Sequence, residues 1–278
     1  MLDRYLLLLT VITICHESIM ASDKNSATNV VFQSTPLVIA HRGDSATHPE
    51  NTLPAFESAL DTGADLIELD YYHSRDGIPF VFHDRNLDRT SNANVLLRRK
   101  DIPTSSLSLA ELKKLDAGLW KDPRFKGTRI PTLNESLDLI QQGSITLIER
   151  KHGDAATIVA LLDKKKLLSN VVVQAFDWEY LSECHQLKPD LLLGALGSKE
   201  FRTEDLQAIE RSGARIVGWS YKDVTASMVE QVHGKSWKLW VYTVNDPNEA
   251  LRLIRLGVDG IITDQPLRIG KALNPAKK

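Results

Sequence analysis

Short apolar runs of four to six residues recur along this chain. They alternate with longer stretches whose apolar residues fall three or four apart. The runs Leu37–Ala40, Asp65–Asp70, Ile145–Glu149, Val171–Gln174, Leu191–Ala195, Arg215–Gly218, Lys238–Tyr242 and Gly260–Thr263 predict strands. Several are nearly unbroken Val, Ile or Leu, as in parallel strands covered on both faces. The spaced pattern predicts helices over Leu53–Thr62, Leu133–Gln142, Ala155–Leu168, Trp178–Leu187, Thr203–Ser212, Val224–Val232 and Asn248–Leu256. Gly63, Gly143, Gly213 and Gly257 lie just past helix ends, where a left-handed turn is expected. Eight strands alternating with helices match the α/β fold of a (β/α)₈ TIM barrel, here over residues 36–272. A doubly wound open sheet is the runner-up, but it has no need of an eighth strand.

Residues 84–131 break the rhythm. They lie between the second and third predicted strands and exceed a single crossover in length. Ser108 followed by Glu111 predicts a capped helical turn, and Asp122-Pro123 with Gly127 predicts turns. This stretch reads as an inserted subdomain over one mouth of the barrel.

The N-terminus has a different character. Tyr5 to Cys15 is apolar but too short for a membrane span, which needs about 20 residues. It suits a secretory signal ending near Ala21. The expectation is a signal peptide over 1–21, a polar linker over 22–35, and an exported, periplasmic or secreted protein. If the segment is not a signal, the protein is cytoplasmic. No stable membrane span is expected in the mature chain.

Composition narrows the rest. The 278 residues are 42% apolar, enough for one large core, and carry a net charge of −2. Nucleic acid is not expected as a partner, because its recognition needs a concentrated basic face. Lys164-Lys165-Lys166 reads as a solvated helix end, where cations favour the carbonyl terminus. Two cysteines, Cys15 and Cys184, build neither a disulfide framework nor a cysteine zinc site. Cys184 reads as a filler thiol.

Polar residues then gather where apolar runs stop. His41, Arg42 and Gly43 follow the first strand. Glu68 and Asp70 end the second, Glu149 and Lys151 the third, and Gln174 the fourth. Thr243 and Asn245 follow the seventh, and Thr263-Asp264 closes the eighth. In this barrel, chemistry sits at the C-terminal strand ends. Glu68 and Asp70 are two apart and face one side. With Glu149 from the next strand they form a candidate site for a hard divalent ion, Ca²⁺ or Mg²⁺. Without an ion, Lys151 or Arg42 would have to neutralise them. His41 and His83 are the candidate general acid and base. Arg42 is a fork for phosphate oxygens and Lys151 a further cation. Glu50 is placed to orient Arg42 or a substrate hydroxyl, and Gly43 to let the backbone approach the phosphate. His16, His48, His73, His152, His185 and His233 read as ordinary core or surface residues.

The ordered motifs His41-Arg42-Gly43, Pro49-Glu50-Asn51-Thr52, Glu68-Leu69-Asp70, His83-Asp84, Leu87-Asp88-Arg89-Thr90, Glu149-Arg150-Lys151, Thr243-Val244-Asn245 and Thr263-Asp264-Gln265-Pro266 resemble the glycerophosphodiester phosphodiesterase family. The resemblance spans most of residues 36–270. It implies a barrel with an insertion at 84–131 and a divalent ion on Glu68, Asp70 and Glu149. It also implies His41 and His83 as acid and base, with Arg42 and Lys151 on the phosphate. The small-molecule substrate it implies is a glycerophosphodiester, cut to glycerol 3-phosphate and an alcohol; Gln174, at its strand end, and Glu50, beside Arg42, are expected in the substrate site from their own positions. His41 is taken as the acid and His83 as the base. Ala175, where the family commonly has Ser, and Tyr242, where it has Trp, depart from the pattern near the pocket. The alternatives are a lysophospholipase D or sphingomyelinase D-like enzyme and a non-catalytic phosphodiester-binding surface protein.

Overall fold

The computed structural model describes residues 26–274. The predicted signal segment, with Cys15 and His16, lies outside them. Eight parallel strands close into a TIM barrel: β1 (Leu37–Ala40), β2 (Leu66–His73), β4 (Ile145–Arg150), β5 (Val171–Ala175), β6 (Leu192–Gly197), β7 (Ile216–Ser220), β8 (Lys238–Tyr242) and β9 (Gly260–Thr263). β1 pairs with both β2 and β9, which shuts the ring and leaves no edge among these eight.

The period of two decides which side chains enter the barrel. Leu37, Ile39, Leu66, Ile145, Leu147, Val172, Leu192, Ile216, Trp240 and Ile262 form one buried interior cluster. The alternate residues, such as Ile67, Leu69, Ile148, Val171 and Val173, pack outward against the helices. Trp240 is fully buried and fills the space that Gly260 leaves open: a Cβ on Gly260 would lie 2.6 Å from the indole. Continuing the inward row beyond Leu66 and Leu147 gives Glu68, Asp70 and Glu149. The mouth is therefore built by the same alternation that builds the floor.

Four departures from the sequence reading have physical causes. Residues 26–35 do more than link. Ser26 caps a helix, Ala27–Val31, whose Ala27 and Val31 are buried against the barrel floor. Ala27 N donates to Ser169 O (2.7 Å), and the Arg215 guanidinium lies 4.5 Å from the Phe32 ring. Five residues are too few to show a helical period, so only the tertiary contacts reveal this element. A ninth strand, β3 (Pro79–Val81), pairs antiparallel with the extended end of β2. The helix Pro266–Leu273 follows β9, with proline at its first turn and Ile269 buried. Gly143 does not join Gly63, Gly213 and Gly257 in taking a positive φ.

The stretch 84–131 contains two single helical turns, Ala93–Leu96 and Leu109–Leu112, and two 3₁₀ turns. Ser108 and Glu111 form the expected capping box. Leu87, Ala93, Ile102, Leu107, Leu112 and Ile130 make a small core with Tyr72 and Phe80 of the β2–β3 hairpin. Lys121 Nζ donates to Ser45 O (2.7 Å) and so ties this unit to the loop after β1.

Candidate active site

Asp70 and Glu149 are direct partners in the β2–β4 register, with Glu68 one inward step below Asp70. One oxygen from each of the three carboxylates lies within 4.8 Å of the others, and all three residues are buried. Burial, then repulsion from Asp70 and Glu149, pushes Glu68 far above the usual carboxylate range. Burial and Asp70 raise Glu149 as well, against the pull of Lys151. Burial would raise Asp70 too, but the charges of Lys151 and Arg42 outweigh it and hold Asp70 low. Lys151 Nζ contacts Glu149 and lies 3.1 Å from Asp70 Oδ1. Arg42 Nε lies 3.2 Å from Asp70 Oδ2.

With all three acids ionised, two cations would face three negative charges and leave one uncompensated, which is why Glu68 is driven towards its protonated form when no cation is bound. Glu68 Oε2 accepts from Arg42 N (2.8 Å), while Oε1 is buried with no hydrogen-bond partner. An orphaned oxygen, surplus negative charge and an all-oxygen donor set fit a hard divalent cation. The cluster could hold a metal ion.

The loop after β1 is shaped around this cluster. Arg42 and Asn51 both adopt left-handed backbone, at φ 57° and 59°. Asn51 Nδ2 donates to Asp70 Oδ2 (2.7 Å), and Asp70 N donates to Asn51 Oδ1 (3.1 Å). Gly43 has φ 82°, and a Cβ there would sit 2.6 Å from the Ala55 backbone. The glycine is needed for the packing of its own loop on the helix Leu53–Asp61, a reason different from the expected approach to phosphate.

Each site histidine is backed by its own carboxylate. His41 Nδ1 lies 2.7 Å from Asp264 Oδ1, and His83 Nδ1 lies 2.7 Å from Asp84 Oδ1. Burial works against ionisation of Asp264 and Asp84. Their hydrogen bonds from His41 and from His83 and Arg89 prevail and keep both low. An ionised carboxylate only accepts, so each ring carries its proton on Nδ1 and leaves Nε2 free. Burial moves His41 below the ordinary imidazole value, against the Asp264 bond. Ser45 Oγ (3.0 Å) and Asn245 Nδ2 (2.7 Å) donate to Asp264 and fix it.

His41, Arg42, Glu68, His83, Glu149, Lys151 and Gln174 line one cavity of about 140 Å³. Asp70 lies beneath it. Glu50 stands behind Arg42 and accepts from Arg42 Nη1 (2.7 Å). Glu50 also accepts from Arg89, at 2.7 Å on the same Oε1 and at 2.8 Å on Oε2, and Arg89 donates to Asp84 at 2.6 and 2.9 Å. Arg89 therefore connects the backing of His83 to the backing of Arg42. Sequence reading gave it no role, nor did it pair Asp264 with His41. Arg89 stands inside the Leu87–Thr90 motif, and Asp264 at a strand end, which were the available signals. A wider groove of about 570 Å³ shares His83, Glu149, Lys151 and Phe176 with the cavity and extends past Tyr72 and Arg85.

The sequence profile of the "Glycerophosphoryl diester phosphodiesterase family" matches residues 41–268. A glycerophosphodiester phosphodiesterase of Caldanaerobacter subterraneus subsp. tengcongensis is 35% identical over 237 residues, 83% of this chain and 94% of the relative. One from Bacillus subtilis is 33% identical over 260 residues, 86% of each chain. Among solved structures, an Oleispira antarctica phosphodiesterase in complex with the product sn-glycerol-3-phosphate superposes with a TM-score of 0.78. It is 30% identical, and the match covers 86% of this chain and 97% of that one.

Proposed function

The chain belongs to the glycerophosphoryl diester phosphodiesterase family and is an enzyme of that kind; from this premise we propose that it hydrolyses small glycerophosphodiesters to glycerol 3-phosphate and an alcohol by paired-histidine acid–base catalysis. One observation carries the reading. Three buried carboxylates and two carboxylate-backed imidazoles converge on a single cavity. A binding protein has no need of an acid–base pair.

The cavity has room for about five waters' worth of matter, enough for a phosphate with a short arm. The longer arm extends into the groove beside His83. One ring receives the nucleophile's proton and the other gives its proton to the departing oxygen; His41 is taken as the acid and His83, at the junction of cavity and groove, as the base. The nucleophile is water or a neighbouring glycerol hydroxyl, the latter aided by proximity. Arg42 and Lys151 hold the non-bridging oxygens, and Gln174 lines the wall beside them. Glu50 positions Arg42. Glu68, Asp70 and Glu149 would hold Ca²⁺ or Mg²⁺, which when bound supplies a positive charge for the phosphoryl oxygens.

The test is a substrate-by-metal panel. Glycerophosphocholine should yield glycerol 3-phosphate and choline, with activity lost in EDTA and restored by Ca²⁺ or Mg²⁺. Undiminished turnover after chelation removes the metal from the scheme. The lysophospholipase D reading draws on exposed Val95, Leu96 and Leu97 in the insertion. Faster cleavage of lysophosphatidylcholine than of glycerophosphocholine would favour it. The apolar run 5–15 supports export, and sequencing the mature N-terminus tests that.

A further inference from the structure

Among the described residues nine large hydrophobic side chains are exposed, and five of them lie in one part of the insertion: Val95, Leu96, Leu97, Leu119 and Trp120. Val95 is 75% exposed and Leu96 51%. Monomers rarely gather apolar side chains on the surface without a partner for them. Arg98, Arg99 and Lys100 follow at once, so that residues 95–100 are exposed without a break. These three cations form no ion pair with the described chain, and the nearest acid in sequence is Asp101.

The two apolar pieces are joined at their bases. Asn92 N donates to Asp116 O (3.0 Å), and Asp116 N donates to Asn92 Oδ1 (2.8 Å). Asp116 Oδ1 accepts from the N–H of Leu119, which opens the Leu119-Trp120 turn. The finger is also anchored close to the catalytic groove. Leu87 N donates to Ile102 O (2.9 Å), and Thr104 N donates to Arg85 O (3.0 Å). Arg85 lines that groove beside His83.

We propose that the Val95–Lys100 finger, with Leu119 and Trp120, docks this enzyme on an anionic lipid bilayer. The chemistry matches at both levels of such an interface. The apolar triplet and the indole enter the acyl boundary, where Trp is favoured, and the cationic triplet meets lipid phosphates. A fluid surface also asks for no shape complementarity, which suits a stretch exposed from Val95 to Lys100. The inference goes beyond hydrolysis and stands on different residues.

The test is co-sedimentation of the full chain with vesicles of phosphatidylcholine alone and of phosphatidylcholine with about one-third phosphatidylglycerol. Wild type should bind the anionic vesicles about tenfold or more tightly than the neutral ones, with the preference falling as salt shortens the Debye length from about 10 Å to about 3 Å. V95S/L96S/L97S and R98E/R99E/K100E should each lose about tenfold or more of that binding. Their turnover of water-soluble substrate should equal that of wild type, since none of these residues lines the cavity. Residues 1–25 are common to all three proteins, so the readout is the difference between them. Equal binding by wild type and both variants overturns the proposal, as does equal binding of wild type to both vesicle types. If light scattering shows a dimer that the serine variant dissociates while vesicle binding is unchanged, a second copy covers the finger and the membrane proposal falls.

Discussion

The floor and the mouth of this barrel are written in the same strands, two residues apart. On β2 the inward row reads Leu66, Glu68, Asp70, and on β4 it reads Ile145, Leu147, Glu149. One step along a strand pair, about 6–7 Å, separates side chains that only exclude water from side chains that do chemistry. The floor sets apolar groups against apolar groups with the helix Ala27–Val31 beneath, and its one lapse among the described residues is the buried, unpartnered indole N–H of Trp240. The mouth departs further: three buried acids repel one another, Glu68 Oε1 and Asp70 Oδ1 have no hydrogen-bond partner, and Arg42 and Asn51 hold left-handed backbone. Strain of this kind persists where the surrounding structure over-determines it. The two layers should therefore respond oppositely to substitution, one losing stability and the other losing rate.

The largest expected effect lies at the mouth. Removing either proposed proton carrier, His41→Ala or His83→Ala, should lower kcat about 10²–10⁴-fold, the usual worth of a positioned acid or base. The melting temperature should hardly move, because both rings are partly exposed at the cavity wall. Steady-state kinetics beside a thermal melt checks this. Near-normal turnover in His83→Ala would remove the paired-histidine scheme. The complementary change is Leu147→Ala, at a fully buried floor position between Ile145 and Glu149. It should cost about 2–5 kcal/mol of stability, measured by denaturant unfolding, while the folded fraction keeps its kcat. If Leu147→Ala loses rate as steeply as stability, the floor also positions the mouth and the two layers are not separable.

An intermediate effect tests the charge imbalance. In metal-free protein Glu68 and Glu149 have raised folded values, so both favour the protonated folded state. Their stabilising contribution is complete below the unfolded carboxylate value and is lost as pH rises through their folded values. Asp70 has the opposite sign: it stabilises above the unfolded value and loses that contribution as pH falls. Thermal melts in EDTA should accordingly decline with rising pH above the ordinary glutamate range. Adding Ca²⁺ or Mg²⁺ should cancel that decline, by about 2.7 kcal/mol at a hundred times Kd. Glu68→Gln should flatten the metal-free pH dependence and weaken the response to the ion. A response to metal identical in Glu68→Gln and wild type would place the ion elsewhere.

Sequence made the inward row legible because a period of two, once anchored by Leu66 and Leu147, leaves no freedom over where Glu68, Asp70 and Glu149 point. The same rule brought His41 and Gln174 to the mouth. What escaped was everything that depends on contacts between distant segments. The helix Ala27–Val31 is too short to carry a period and exists because the floor covers it. β3 exists because β2 runs past the barrel rim and offers Tyr71–His73 for pairing. Asp264 is 223 residues from His41, and nothing local joins them. The clustered carboxylates could be read because they obey a local geometry, and their supporting groups could not because they are chosen by the fold.

The smallest expected effect concerns the most telling of those supports. Arg89 is nearly half exposed, a position where ion pairs contribute about 1 kcal/mol or less to stability. Its guanidinium nevertheless spans Asp84, which backs His83, and Glu50, which backs Arg42. A planar fork is needed to reach both carboxylates at once, and an ammonium is not one. Arg89→Lys should keep the charge and leave the melting temperature within a degree or two, yet lower kcat about tenfold, equal to about 1.4 kcal/mol of transition-state stabilisation. The loss should fall on kcat rather than KM, because Arg89 does not line the cavity that holds the phosphate. Glu50→Gln should reproduce part of it, and the double variant should lose less than the product of the two, as expected for residues acting in one network. Full additivity in that cycle would mean that Arg89 and Glu50 serve His83 and Arg42 independently. The carboxylate–guanidinium chain across the mouth would then be two separate props.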